Sequence, residues 1–274
     1  MKLADSEPPK AALPLPGVAF PTFAACFTIS ARVFTVLLGL SAITWGADVL
    51  PVFSRQAPVE RMASYIVDRA SFKPDALVSF LPAITAVEQE AICRPAALHS
   101  AAIIRLRLAE DAMAAGTRED IDPRLDALQD NIRRSLACTP ADSFLWTVLA
   151  WLDGARNGFR QEQLTFLRLS YQLGPNEGWV AARRNRFALP MFGQLPPDLA
   201  DFAVHEFARM VDSWIYWDTI SIFTGPGWPI HDRLLASLKD VGERQREAFS
   251  QELYAEGYKV AVPGIAPRDP RPWY

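Results

Sequence analysis

Apolar and polar positions divide the chain into one long apolar stretch near its start and, after Pro58, a series of amphipathic segments. Between Phe23 and Ala47 the only charged residue is Arg32, and residues 33–47 (VFTVLLGLSAITWGA) carry none. A helix that crosses a bilayer needs about 20 mostly apolar residues. Residues 26–50 reach that length if Arg32 snorkels toward the headgroups. Trp45 stands near the far end, where an interfacial aromatic is expected. Pro51 is expected to stop the helix. A cleaved signal peptide and a buried core helix produce a similar stretch. The signal peptide fits less well, because the lead is long and the best cleavage point, before Asp48, puts Trp45 where a small residue is wanted.

Lys2, Lys10 and Arg32 precede the apolar stretch, and Arg55 and Arg61 follow it closely, a slight positive-inside bias. A short leading tail and a large following domain favour the tail inside and the domain outside. In a bacterium that means a single-pass inner-membrane protein with a periplasmic C-terminal domain.

The remainder reads as helix. VERMASYIVDRA spaces Met62, Ile66 and Ala70 by one turn each. DALVSFLPAITAVEQEA follows, with Pro82 marking a kink or boundary. Pro95 suits the first turn of the next helix and Gly116 its end. Asp122 and Pro123 supply an N-cap and first-turn proline for RLDALQDNIRRSLAC. Further helical segments run to about residue 258, including PPDLADFAVHEFARMVDSWIYWDTI as one helix. No convincing period-two pattern marks a strand. Short turns between medium helices mean antiparallel neighbours. The expected organisation is a proline-rich cytoplasmic tail (1–25), a transmembrane helix (26–50), an all-α helical domain (58–258) and an extended C-terminal tail (259–274). The end of that tail is proline-rich and finishes in Trp273 and Tyr274.

Cys93 opens one predicted helix and Cys138 closes the next, with the turn at Gly116 about equally far from each. Folding that hairpin brings both cysteines to its open end. In an oxidising compartment they would form a disulfide; two unrelated buried thiols are the alternative. Cys26, at the membrane edge, is expected to be a free thiol.

Two stretches share a layout: SLACTPADSFLWTVLAWL from Ser135 and SYQLGPNEGWVAARRNRFAL from Ser170. Each has a helix end, a short polar turn with proline, and a tryptophan opening the next helix. Pro140 and Pro175 are 35 residues apart, and Trp146 and Trp179 are 33 apart. That period is close to the roughly 34 residues of a tetratricopeptide repeat, which the stretch resembles. Leu149 and Ala150 stand where that family places Leu and Gly, and Phe166 and Leu169 fall at apolar positions of its second helix. Asp153 departs from the family's tyrosine, and no third clean copy follows. The resemblance covers roughly residues 124–189 and implies stacked antiparallel hairpins sharing one core, with a groove that binds protein segments.

Chemistry-bearing motifs are sparse. The formal net charge of -3 offers no basic face for nucleic acid. There is no phosphate-binding Gly-rich loop, no nucleophile elbow and no CxxC, so no cofactor is expected. Asp201 and His205 share a helix face, but two ligands are too few for a structural zinc site; no metal or catalytic residue is assigned. Arg183 and Arg186 point one way on their helix and Arg184 another. The first pair could line a groove and grip carboxylates or an anionic polysaccharide, or else form salt bridges on a solvated face. Trp214 and Trp217 could anchor a partner or stack on sugars, or pack in the core. Arg183, Arg186, Trp214 and Trp217 are the candidate groove residues.

The expected function is an envelope scaffold or adaptor that binds inner-membrane or envelope proteins, in the setting of surface polysaccharide synthesis or export. Rival readings are an assembly factor for one membrane complex and an all-helical carbohydrate-active enzyme using Glu177, Asp212 or Asp218.

Overall fold

The computed structural model describes residues 23–70, 72–116 and 118–266. The proline-rich lead, the Cys26 side chain and the end of the C-terminal tail lie outside the described residues. The chain divides into two units, residues 1–54 and 55–274. Among the described residues every regular element is helical.

In the first unit the described backbone belongs to α1 (Phe23–Val67). Ser30–Pro51 is the one candidate among the described residues that is long and apolar enough to cross a membrane, and none of its 22 residues is buried. Arg32 is exposed. Pro51 does not stop the helix, and VERMASYIVDRA is not a separate one: α1 runs through Pro51 and Pro58 to Val67. An interior proline removes one backbone hydrogen bond, a cost of about 3 kcal/mol. The segment beyond is held in the second unit by burial of Gln56, Val59 and Ala63.

The second unit takes in the end of α1, then α2 (Pro74–Val78), α3 (Leu81–Glu88), α4 (Pro95–Ala115) and α5 (Arg118–Cys138). It continues with α6 (Ser143–Asn157), α7 (Gln161–Leu173), α8 (Gly178–Ala188) and α9 (Pro197–Asp212). The last helices are α10 (Tyr216–Thr224), α11 (His231–Ala236) and α12 (Glu243–Ala255). The α2–α3 boundary falls just before Pro82, which sits in the first turn of α3. Helix α4 starts on Pro95 and ends where Gly116 takes the left-handed conformation, φ 72°. That conformation suits glycine because it has no Cβ.

Helix α5 begins about one turn earlier than Asp122–Pro123 predicts, and Pro123 lies inside it. The added turn carries Ile121, which packs on the apolar core and offsets the cap lost at Asp122. Helices α4 and α5 pack along their lengths, and Cys93 is disulfide-bonded to Cys138 across the open end, with Cα atoms 6.2 Å apart. That join makes the hairpin antiparallel.

A second hairpin, α6–α7, is antiparallel too, since the Ser170 hydroxyl near the end of α7 donates to the Ser143 carbonyl at the start of α6. Asp142 caps α6 by accepting from the Leu145 N–H. Gly174 closes the hairpin's open end, where a Cβ would collide with the Ser143 side chain.

Two apolar clusters hold the unit. One gathers α1's end and α2 to α6 around Ile104, Leu128, Ile132 and Phe144. The other runs from α6 to Ile265 around Phe207, Phe223 and Phe249. The segment expected as one helix from Pro196 onward is two, α9 and α10, broken by Trp214 at φ 63°. Of residues 259–274, the described part lacks helix but is docked. Val262 is buried, Val260 and Ile265 pack on the second cluster, and Arg246 Nη1 donates to the Pro263 carbonyl.

Candidate functional site

Helix α8 displays two kinds of arginine. Val180, Arg184 and Ala188 follow at four-residue spacing and are all fully buried. Arg184 Nε donates to Glu206 Oε1 at 3.0 Å and Oε2 at 3.2 Å, and Nη2 also reaches that carboxylate. The remaining donors go to the Ser170 carbonyl (2.9 Å), the Ser170 hydroxyl (3.0 Å) and the Gly174 carbonyl (2.7 Å). Asn185 Nδ2 donates to Glu206 Oε2, and the guanidinium lies over the Tyr171 ring, 4.8 Å from its centre. One cation thereby ties α7, α8 and α9 together. Burial pushes the Glu206 carboxyl above its ordinary range, with Arg184 pulling it back. The sequence signal for this pair is the four-residue step that Arg184 shares with Val180 and Ala188.

Arg183 and Arg186 point the other way, onto the wall of a groove of about 570 Å³. Both are salt-bridged within the chain, Arg183 to Glu110 and Arg186 to Asp218 at 3.1 Å. Asp218 also holds Arg69, which follows the end of α1. Arg107 completes the charged wall and pairs with Asp111 one turn along α4, at 2.9 Å. Four arginines thus face the groove with one carboxylate, Asp218, among its lining residues. The rest of the described lining is apolar apart from the Trp179 indole N–H. Phe144 packs against Trp179 with the rings tilted and their centres 4.7 Å apart, and Ile66, Phe72 and Ile103 join them. The elements that build the groove are α4, α6 and α8, with α1's end and the start of α10.

Trp214 and Trp217 line a neighbouring depression of about 520 Å³, which shares Val67, Arg69 and Asp218 with the groove. The core-packing alternative fails for both: Trp214 is 54% exposed and Trp217 83%. Tyr216 lies between them in sequence, its ring edge-on to Trp214 at 5.3 Å. Trp214 and Arg69 are the only non-glycine residues with positive φ among the described residues. Each follows a helix C-terminus in a Schellman-type cap, closed by Ile215 N–H to the Met210 carbonyl (3.0 Å) and Ala70 N–H to the Tyr65 carbonyl (2.9 Å). The structure therefore brings all four candidate groove residues to two adjoining depressions and adds Arg69, Arg107 and Trp179.

The other singled-out residues lie elsewhere. His205 Nδ1 contacts the Asp201 carbonyl, and Asp201's own carboxylate accepts from Arg233, so the pair is not aimed at a shared ligand. Among the described residues no group of three or more metal-ligating side chains is assembled. Glu177 and Asp212 line neither depression.

Compared with protein-family models, curated proteins and solved structures, the chain matches none.

Proposed function

We propose that the chain is a single-pass membrane-anchored adaptor whose helical domain holds a protein partner in the groove beside Arg69. The observation that carries this reading is the groove's construction. Its walls come from α4, α6 and α8, each the first helix of a successive pair (α4–α5, α6–α7, α8–α9), and these first helices contact one another in order. A tetratricopeptide-like array exposes its shared trough in this way, because paired helices bury their apolar sides on their neighbours and leave one face open. Two exposed tryptophans beside the trough supply the large, rigid anchors that dominate protein interfaces.

Ser30–Pro51 is the tether. The tail before it is cytoplasmic and the domain after it periplasmic, in a bacterial inner membrane. The Cys93–Cys138 disulfide supports that side, since disulfides persist in oxidising compartments. An envelope setting such as polysaccharide synthesis or export is part of the proposal on the strength of the anchored topology and the repeat likeness, not of any residue. The carbohydrate-active reading draws less support. Asp218 is neutralised by two arginines, and neither other candidate carboxylate reaches the groove.

The test is photo-cross-linking in native membranes with a benzophenone amino acid at Trp217, and at the exposed Lys239 as a control. A discrete protein adduct from position 217 alone supports the reading. Equal adducts from both positions, or none from 217, overturn it.

A further inference from the structure

We infer that the groove's occupant is an acidic peptide segment carrying a large apolar side chain. This rests on the adaptor reading and names the partner's chemistry. The four lining arginines are held by three carboxylates, Asp218, Glu110 and Asp111, which leaves the wall with one positive charge in excess. Two of the arginines are readily released. Arg107 and its partner Asp111 are 50% and 36% exposed, and Arg183 and its partner Glu110 are 38% and 29% exposed. Exposed pairs of this kind hold by only about 0–1 kcal/mol, so a ligand carboxylate can replace the internal partner. The guanidinium fork suits bidentate carboxylates. Arg69 and Arg186 share one carboxylate, Asp218, which is only 17% exposed, and they mark the far edge of the wall.

The lining between the charges decides the rest of the ligand. Among the described residues it contains Trp179, Phe144, Ile66 and Ile103, and no serine, threonine, asparagine or glutamine. Among the described lining residues the Trp179 indole N–H is the one neutral hydrogen-bonding side-chain group, too few for a sugar polymer's hydroxyls, whereas a leucine or phenylalanine would be buried against the rings. Charge and apolar surface together select an acidic peptide over an acidic polysaccharide.

The experiment uses the full chain in nanodiscs and fluorescence anisotropy of labelled peptides of about ten residues. One probe has glutamates around a central phenylalanine. A second replaces the glutamates with glutamines, and a third replaces the phenylalanine with serine. An unlabelled polyuronate serves as competitor. The first probe should bind, weakening at least tenfold with either change. Arg107→Glu combined with Arg183→Glu should weaken it at least tenfold again, with circular dichroism and melting temperature unchanged. Melting that does change is resolved by Arg107→Gln with Arg183→Gln, which should show the same loss. Glutamate-independent binding, binding indifferent to the arginine changes, or displacement by polyuronate with no peptide binding would overturn the proposal. A Trp217 adduct in membranes together with failure here would leave the adaptor standing and discard its acidic ligand.

Discussion

Arg69 and Trp214 lie far apart in sequence, yet both adopt a left-handed backbone just past a helix end, and both side chains wall the same depression. A non-glycine residue in that conformation costs on the order of 1–2 kcal/mol, and glycine is the residue helices prefer there. Neither side chain repays the cost through burial: Trp214 is half exposed, as is Arg69 in its pair with Asp218. On the adaptor reading that strain is kept because both side chains serve the docking surface.

Arg69→Gly and Trp214→Gly should therefore leave unfolding free energy unchanged or raise it by up to about 1 kcal/mol. Both should abolish the Trp217 cross-link. Denaturant unfolding and cross-linking yield measured on the same variants check this. A loss above about 2 kcal/mol would make these side chains structural.

Arg184 and Glu206 make the opposite case. Arg184→Met strands a buried carboxylate and should destabilise by about 3–5 kcal/mol, while adding Glu206→Leu should recover most of the loss. The pH dependence follows from the raised Glu206 carboxyl. The folded state holds that proton more tightly than the unfolded chain. Its contribution is therefore full at low pH and is lost as pH rises through the folded value. The deficit of Arg184→Met should accordingly shrink on acidification, which urea titrations at several pH values would register.

The Cys93–Cys138 bond closes a loop with a sequence separation of 45. On the chain-entropy account it stabilises by about 4 kcal/mol. Cys93→Ser with Cys138→Ser should lower unfolding free energy by about that amount. Intact protein should take up alkylating reagent at one of its three cysteines before reduction and at all three after it, as read by mass.

Local rules written in single residues were legible in the sequence. Pro95 and Gly116 bounded α4, the spacing around Gly116 placed both cysteines at one hairpin end, and the uncharged run after Arg32 marked the long apolar helix. Rules that depend on tertiary context were not. Pro51 looked like a stop, but burial of Val59 and Ala63 supports the helix that follows it. The periodicity around Trp214 continued across a real break, because a left-handed residue leaves no apolar signature unless it is glycine. A signal for the buried ion pair was present and unread. Arg184 falls in step with Val180 and Ala188, and Glu206 stands three residues after Ala203 and four before Met210, so both charges occupied core positions. The groove residues Arg69 and Arg107 could not have been joined to Arg183 without the packing of α1, α4 and α8.

The most direct measurement of the tethered-adaptor account is protease accessibility of the full chain in bacterial spheroplasts, followed by an alkaline wash of the membranes. The account predicts that protease added outside removes the domain after Pro51 and leaves a short fragment with Ser30–Pro51 in the washed bilayer. A chain released intact by the wash, or a domain digested only after lysis, would contradict it.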